Sequence, residues 1–329
     1  MIPDKQKKER IKINYPKLVS RYPICKGKIS VNYMNKVSVI VLTYNQEKFI
    51  EKNLQGIFAQ KVNFPVELII SDDCSTDQTI AIINEYIKNK PSHIEIKLIA
   101  HKKNLGSTPN FFNALQKSTG KYLAFCEGDD YWTDDNKLQI QHDFLESNKD
   151  YSMCFHQVKN ISSDPLINDT IFARVEDRDY SPFEIFRHWI VHTTSVFMDA
   201  KVLQNTAVQT LFRHPELLYF DTFLYMACSL NGKIRGSHLT MSSYLRHEEG
   251  LSNGINYKRD LRHNHLDEII AETYDGKVKE YANWQIFSRS RVAFFDLLKQ
   301  GKINLAFQHL KWILKKKGNL RIYLIKKYA

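Results

Sequence analysis

The sequence predicts an α/β protein built on a mainly parallel sheet flanked by helices, with a mostly helical C-terminal extension. Three observations predict it. Between Lys36 and about Asn160, short β-branched runs alternate with stretches of helical periodicity, the pattern of a parallel sheet covered by helices. Polar residues collect where those runs end, which is where open α/β sheets bind ligands. From Tyr257 onward apolar residues recur at helical spacing almost without interruption. A chain of 329 residues with 43% hydrophobic and 25% charged residues has ordinary globular composition and can bury a sizeable core.

The expected strands are 37–43, 66–71, 94–100, 121–126 and 151–158, with helices near 48–60, 77–90, 108–118 and 134–148. Ser75 or Asp77 is expected to cap the second helix and Gly120 to end the third. Beyond Asn160 the rhythm changes to a helix opening at Ser181-Pro182, a segment from Val191 to Met198, a helix near 217–230 and a strand-like run from Leu239 to Arg246. This divides the chain into a basic N-terminal extension (1–35), a central domain (36–255, in halves 36–160 and 161–255) and a helical basic region (256–329).

The formal net charge of +11 calls for an explanation by location. Its cations cluster in the first thirty residues and at the end of the chain, between Lys311 and Lys327. A nucleic-acid-binding protein would instead carry a contiguous basic face with stacking aromatics. The five cysteines show no C-x-x-C spacing and read as buried free thiols rather than a zinc site or a disulfide framework. The N-terminus has no apolar signal-like run, and no window approaches eighteen consecutive apolar residues, so the protein is expected in the cytosol.

The most informative segment is Tyr122–Trp132, an apolar run ending in Glu127, Asp129 and Asp130 around Gly128. Carboxylates packed so closely repel unless a cation sits among them, and a divalent ion carrying a diphosphate is a common solution. An acidic surface turn is the plainer alternative. Other strand ends add Thr43-Tyr44-Asn45, suited to a planar base, and Asp72-Asp73, suited to a base or ribose edge. His101 to Gly106 adds cations such as Lys103, the amide of Asn104, and a glycine that permits close backbone approach. No Walker-type or G-x-G-x-x-G loop competes for that role.

Val37–Asn45, Ile70–Asp77, Asn104-Leu105-Gly106 and Glu127–Trp132, in that order and spacing, resemble the successive motifs of the family 2 inverting glycosyltransferases. The resemblance is dense over residues 36–160 and thinner to about 255. It implies a GT-A, Rossmann-like fold, a nucleotide-sugar donor, most simply a UDP-sugar, and a divalent Mn²⁺ or Mg²⁺ ion. It further implies nucleoside contacts from Thr43, Tyr44, Asn45 and Asp73, with Asp72 helping to shape that pocket, and donor contacts from Lys103, Asn104, Gly106, Glu127, Gly128 and Asp130. Its D-x-D motif falls on Glu127-Gly128-Asp129, so the chain departs by carrying glutamate first. Asp129, Glu127 and Asp130 are the metal candidates.

The same resemblance places the catalytic base at Asp221, although an aspartate before an apolar helical run also reads as an N-cap. Arg246 and His247 resemble a motif that approaches the leaving diphosphate; a structural pair at a strand end is the alternative. For the acceptor, His192, Thr193 and Thr194 can line the pocket or form a polar edge, and Trp132 can stack on a sugar or sit in the core. The expected acceptor is a glycan, lipid-linked in the fuller reading, and nucleic acid is not an expected partner. A non-catalytic sugar-nucleotide binder is the competing function, favoured only by Glu127. Residues 304–329 interleave apolar and aromatic residues with lysine; they can pack as a core helix with a solvated basic face, but the expectation is that they lie on an anionic membrane and hold the protein peripherally on the inner face of the plasma membrane.

Overall fold

The computed structural model describes residues 34–162, 168–211, 220–246, 256–316 and 318. In chain order the first half is β1 (Met34–Thr43), α1 (Ile50–Phe58), β2 (Val66–Asp72), α2 (Thr79–Tyr86), β3 (Ile94–Ala100), α3 (Ser107–Lys117) and β4 (Gly120–Phe125). Then come β5 (Tyr131–Trp132), α4 (Lys137–Ser147), β6 (Tyr151–Ser162), β7 (Thr170–Ile171), α5 (Pro182–His188), β8 (Phe197–Asp199), α6 (Thr206–Leu211), α7 (Phe220–Cys228) and β9 (Lys233–Arg246). Three helices follow: α8 (Tyr257–Thr273), α9 (Gly276–Lys299) and α10 (Ile303–Lys316).

One sheet runs through the molecule in the order β3-β2-β1-β4-β8-β6-β9-β5, with β7 paired to β6. The β3-β2-β1-β4 half is parallel, as expected. The short β8 then enters antiparallel between β4 and β6. β2 is buried along its whole length, as a parallel strand with helices on both faces must be. Alternation divides β1: Val37, Val39 and Val41 pack with Leu54, Ile57 and Ile83, while Ile40 faces Phe111, Leu115 and Phe125.

Register aligns the carboxyl ends. Thr43 pairs with Asp72, and Asp72 with Ala100, so three of the polar strand ends lie side by side. The backbone of β4 continues beside β1, with Gly128 N–H donating to Leu42 O at 3.0 Å. Four segments distant in sequence therefore share one edge.

Several expectations need correction. α3 ends at Ser118 in extended conformation, and Gly120 instead opens β4. A Cβ there would sit 2.5 Å from Ser38 N and 2.8 Å from Lys36 O, so glycine is needed for strand approach, not for a helix cap. Neither Ser75 nor Asp77 is the N-cap of α2, which is Gln78 without a side-chain cap; Asp77, one residue earlier, accepts from Thr79 N–H at 2.9 Å. β9 is longer than the expected 239–246 run, and the segment from Val191 to Met198 holds a 3₁₀ turn at Thr193–Ser195 before β8. Cys126, Cys154 and Cys228 are buried free thiols, whereas Cys74 is only half-buried. Residues 1–33 and 319–329, with Cys25, lie outside the described residues.

The lower end of the parallel half is locked by one buried carboxylate. Glu67 accepts from Ser38 Oγ at 2.5 Å and from Thr119 N–H and Oγ1 at 2.8 and 2.9 Å, and pairs with Lys97 and with Lys36, the latter at 3.1 Å. Burial alone would raise its pKa. The bonds from Lys97, Ser38 and Thr119 outweigh burial and pull it from 4.5 to about 2. A depressed carboxylate stabilises the fold above its unfolded pKa and loses that contribution as pH falls through the folded one. Glu67 should therefore contribute about 3 kcal/mol at neutral pH, lost between roughly pH 4.5 and 2. Urea denaturation of Glu67→Gln across that window should show a flatter pH dependence than the wild type; parallel curves would contradict this role.

Candidate active site

The first two strand ends are joined by side chains from the predicted motifs. Asp72 accepts from Thr43 Oγ1 at 2.8 Å, Ser75 N–H at 2.8 Å and Ser75 Oγ at 2.5 Å. Asn45, at a φ of 53° that asparagine tolerates, receives Thr76 N–H at 2.8 Å and donates its own N–H to Ser75 Oγ at 2.9 Å. Asp73 reaches across to the third strand end, accepting from Leu105 N–H at 2.6 Å and Gly106 N–H at 2.8 Å. Gly106 has a φ of 90°, which favours glycine. Thr43, Asn45, Asp72 and Asp73 thus form a cross-linked frame, while Tyr44 is 48% exposed above it and Lys103 and Asn104 are exposed beside it.

The acidic loop is held from beneath. Asn53, fully buried on α1, donates from Nδ2 to Glu127 O at 2.8 Å and to Asp130 O at 2.9 Å. A Cβ on Gly128 would fall 2.0 Å from Gln46 Oε1 and 3.0 Å from Leu42 O, so the loop lies flat on β1. Asp130 is buried. Its Oδ1 accepts from Leu245 N–H at 3.3 Å, and its Oδ2 has no hydrogen-bond partner among the described residues. His192 Nδ1 stands 3.7 Å from that orphaned oxygen, but burial drops the imidazole to about 3 and keeps it neutral.

Crowding shows in the acidities. Burial, then the charges of Asp129 and Asp221, push Glu127 up to about 8. Burial, then Asp129 and Glu127, push Asp130 well above the usual carboxylate range. Asp221, in the first turn of α7, is also raised by burial, against hydrogen bonds from Thr222 N–H, its own N–H and the Thr193 side chain. Tyr225, one turn on, is buried and raised by that burial and by Asp221. The charge of Asp221, from the second half of the chain, is thus felt by Glu127 in the acidic loop of the first, and the Thr193 side chain bonds to Asp221.

Around this cluster stands an aromatic wall. The His192 ring lies 4.5 Å from Tyr244 and 4.9 Å from Phe172, centroid to centroid. The phenol of Tyr244 is raised by burial and by Asp130, Asp129 and Glu127, with Arg246 opposing, which places Arg246 on the same side. His247 lies outside the described residues. Thr194 is fully buried, its carbonyl accepting from Trp132 Nε1 at 3.1 Å. Trp132 is only 3% exposed, with Lys137 Nζ 4.2 Å above its ring, so no face remains for a sugar and the core reading of that tryptophan holds.

Among the described residues, no group of three or more His, Cys, Asp or Glu side chains is placed to hold a metal ion by itself. The orphaned Asp130 oxygen and the mutually raised carboxylates fit the other common arrangement, in which one or two carboxylates share a cation with substrate phosphates. Such a cation would relieve the repulsion that raises Glu127 and Asp130.

Sequence reasoning missed Asn53, Tyr225, Phe172 and the contribution of Tyr244. A signal existed for Asn53: an amide on the apolar stripe of Ile50, Leu54 and Ile57 is out of place unless it bonds to something.

A parallel half-sheet ending in a polar edge and an acidic loop, followed by a mixed half, is a fold of the GT-A type. The Glycosyl transferase family 2 model matches residues 38–205, just over half of the chain, and the chain belongs to that family. An uncharacterized protein of Mycobacterium tuberculosis is 34% identical over 215 residues, 65% of this chain and 60% of that protein. The chain thus spans about 60% of that relative's length. The Escherichia coli UDP-Glc:alpha-D-GlcNAc-diphosphoundecaprenol beta-1,3-glucosyltransferase WfaP is 26% identical over 235 residues, 71% of this chain and 86% of WfaP. The crystal structure of Staphylococcus aureus TarS in complex with UDP-GlcNAc superposes with a TM-score of 0.59 at 21% identity, covering 77% of this chain and 71% of that one, a likeness of fold.

Removing the Asn53 amide costs the loop two hydrogen bonds, a loss of about 2 kcal/mol, while Glu127 O keeps Asp130 N–H at 2.8 Å. Asn53→Ala should lower unfolding free energy by that amount in urea titration; a change within error would show that the loop is held by other means.

Proposed function

We propose that this chain moves one sugar from a nucleotide-diphosphate donor to a hydroxyl of a glycan acceptor, with inversion, in the synthesis of a cell-surface glycan. The observation that carries this reading is the meeting of Asp221 with the Glu127–Asp130 loop at the carboxyl edge of the parallel strands. Tyr44 supplies an exposed ring for the base, on the frame of Thr43, Asn45, Asp72 and Asp73. Lys103, Asn104 and the Gly106 backbone border the donor. Asp129, with Glu127 and Asp130, would hold a divalent cation, Mn²⁺ or Mg²⁺, which when bound stabilises the departing diphosphate charge. Arg246 adds a protein cation on the same side.

In the transfer step the Asp221 carboxylate takes the proton of the acceptor hydroxyl as its oxygen attacks the anomeric carbon from the face opposite the diphosphate. The bond from that carbon to the phosphate oxygen breaks, and the nucleoside diphosphate leaves with the electron pair. Burial raises the proton affinity of Asp221, which suits a base. Thr193 orients it by hydrogen bonding, and His192 with Thr193 borders the acceptor side. UDP-GlcNAc in TarS and the UDP-Glc and lipid-diphosphate acceptor in the name of WfaP support a UDP-sugar donor and a lipid-linked acceptor here. Residues 36–160 then serve the donor and 161–255 the acceptor.

Asp221→Asn should reduce transfer by about 10²- to 10⁴-fold while UDP-GlcNAc with Mn²⁺ still raises the melting temperature. Unchanged turnover would remove Asp221 as the base. In the wild type, kcat should fall with decreasing pH on a limb above the ordinary aspartate range, because protonation removes the base. A limb at the ordinary aspartate value would contradict the buried setting of that acid.

A further inference from the structure

The C-terminal helices carry a surface that the transfer reaction does not use. α9 and α10 form a hairpin: Gly301, at a φ of 68°, donates its N–H to Leu298 O at 3.0 Å, and Lys302 N–H reaches Leu297 O at 2.9 Å. One face of α10 is committed to the protein. Ala306 packs with Ala293 and Leu297, His309 Nε2 bonds Tyr257 O at 3.1 Å, and Lys315 and Lys316 pair with Glu268 on α8.

The other face is apolar and open. Ile303, Phe307 and Leu314 follow helical spacing along α10 and are 48–57% exposed, with half-buried Leu310 between them. Val292 and Phe295 on the C-terminal half of α9 are 52% and 54% exposed. Exposed large apolar side chains gathered on one hairpin mark an interaction surface. Charge identifies the occupant. Residues 288–316 contain seven Lys and Arg side chains and one acid, Asp296, which accepts from Tyr257 Oη at 2.8 Å. Lys299, Lys302 and Lys311 are exposed at the turn and beside the stripe. A second copy docked here would bring two cationic faces together, whereas an anionic lipid surface satisfies both the charge and the apolar stripe.

We propose that the α9–α10 hairpin docks on an anionic lipid bilayer, with Phe295, Ile303, Phe307 and Leu314 entering the headgroup boundary and Lys299, Lys302 and Lys311 contacting lipid phosphates. The hairpin lies flat. No helix among the described residues is long and apolar enough to cross a membrane. The proposal is independent of the transferase reading, since a lipid-docked surface needs no particular chemistry at Asp221.

The test is co-sedimentation of the full chain with vesicles of phosphatidylglycerol and phosphatidylcholine in equal parts, against phosphatidylcholine alone. The wild type should bind the anionic vesicles selectively and be released by salt. Lys299→Glu, Lys302→Glu and Lys311→Glu combined should weaken binding at least about a hundredfold, because each cation near the surface is worth about a factor of five. Phe307→Ser with Leu314→Ser should weaken it about tenfold or more. Both substitution sets are on exposed positions, and melting curves report whether each folds. If the apolar set melts early, the charge set decides. Equal binding to neutral vesicles, binding to neither, or full binding by folded variants would overturn the proposal. So would a wild-type dimer that Phe307→Ser with Leu314→Ser converts to monomer, since the stripe would then belong to a second copy.

Discussion

Like charge confined in a small buried volume is the constraint around which the functional half of this fold is arranged. Glu127, Asp129 and Asp130 come from one tight loop, and Asp221 arrives from a helix some ninety residues later. Burial and mutual repulsion raise Glu127 and Asp130, and the histidine next to them is held neutral. Left to itself such a loop would splay into solvent. Asn53 bonds its carbonyls from below, Gly128 removes the side chain that would lift it off β1, and Leu245 N–H steadies Asp130 from β9. The repulsion is kept in place by neutral donors, an arrangement that a bound cation would relieve.

The parallel register supplies the rest of the edge. Because Thr43, Asp72 and Ala100 lie side by side, the loops after three strands can exchange hydrogen bonds without any long connection. Most polar residues at those ends are occupied with one another. Asp72 and Asp73 each accept backbone N–H groups, so their first role is to hold the loops in the shape that leaves Tyr44, Lys103 and Asn104 outward. Precise placement of the exposed groups depends on buried ones that never need to touch a ligand.

Much of this was legible in the sequence. The five expected strands of the first half are present: β1 and β2 read as apolar β-branched runs because they are buried parallel strands, and β3, β4 and β6 show as shorter apolar runs between helical stretches; the acidic loop is visible because carboxylates rarely crowd without reason. Asp221 is an expectation of the resemblance; its charge raises Glu127 of that loop, and its part in catalysis is a proposal. What was not legible depended on contacts across the chain. Trp132 beside three acids looked like a sugar platform, but its indole is pinned to Thr194 O, sixty-two positions away. Gly120 looked like a helix stop, although its cause is the backbone of β1. The wall of Phe172, His192 and Tyr244 joins three segments that no local pattern connects. On α10 the stripe was visible as periodicity, but only packing showed which face is committed and which is open.

The central claim is that the crowded carboxylates await a cation bridged to a diphosphate. Calorimetric titration of UDP into the wild type and Asp129→Asn, each with and without Mn²⁺, addresses it most directly. Binding by the wild type that requires Mn²⁺ and is lost in Asp129→Asn, with the variant still folded, is the expected result. UDP binding of equal strength without the ion, or undiminished in the variant, would contradict it.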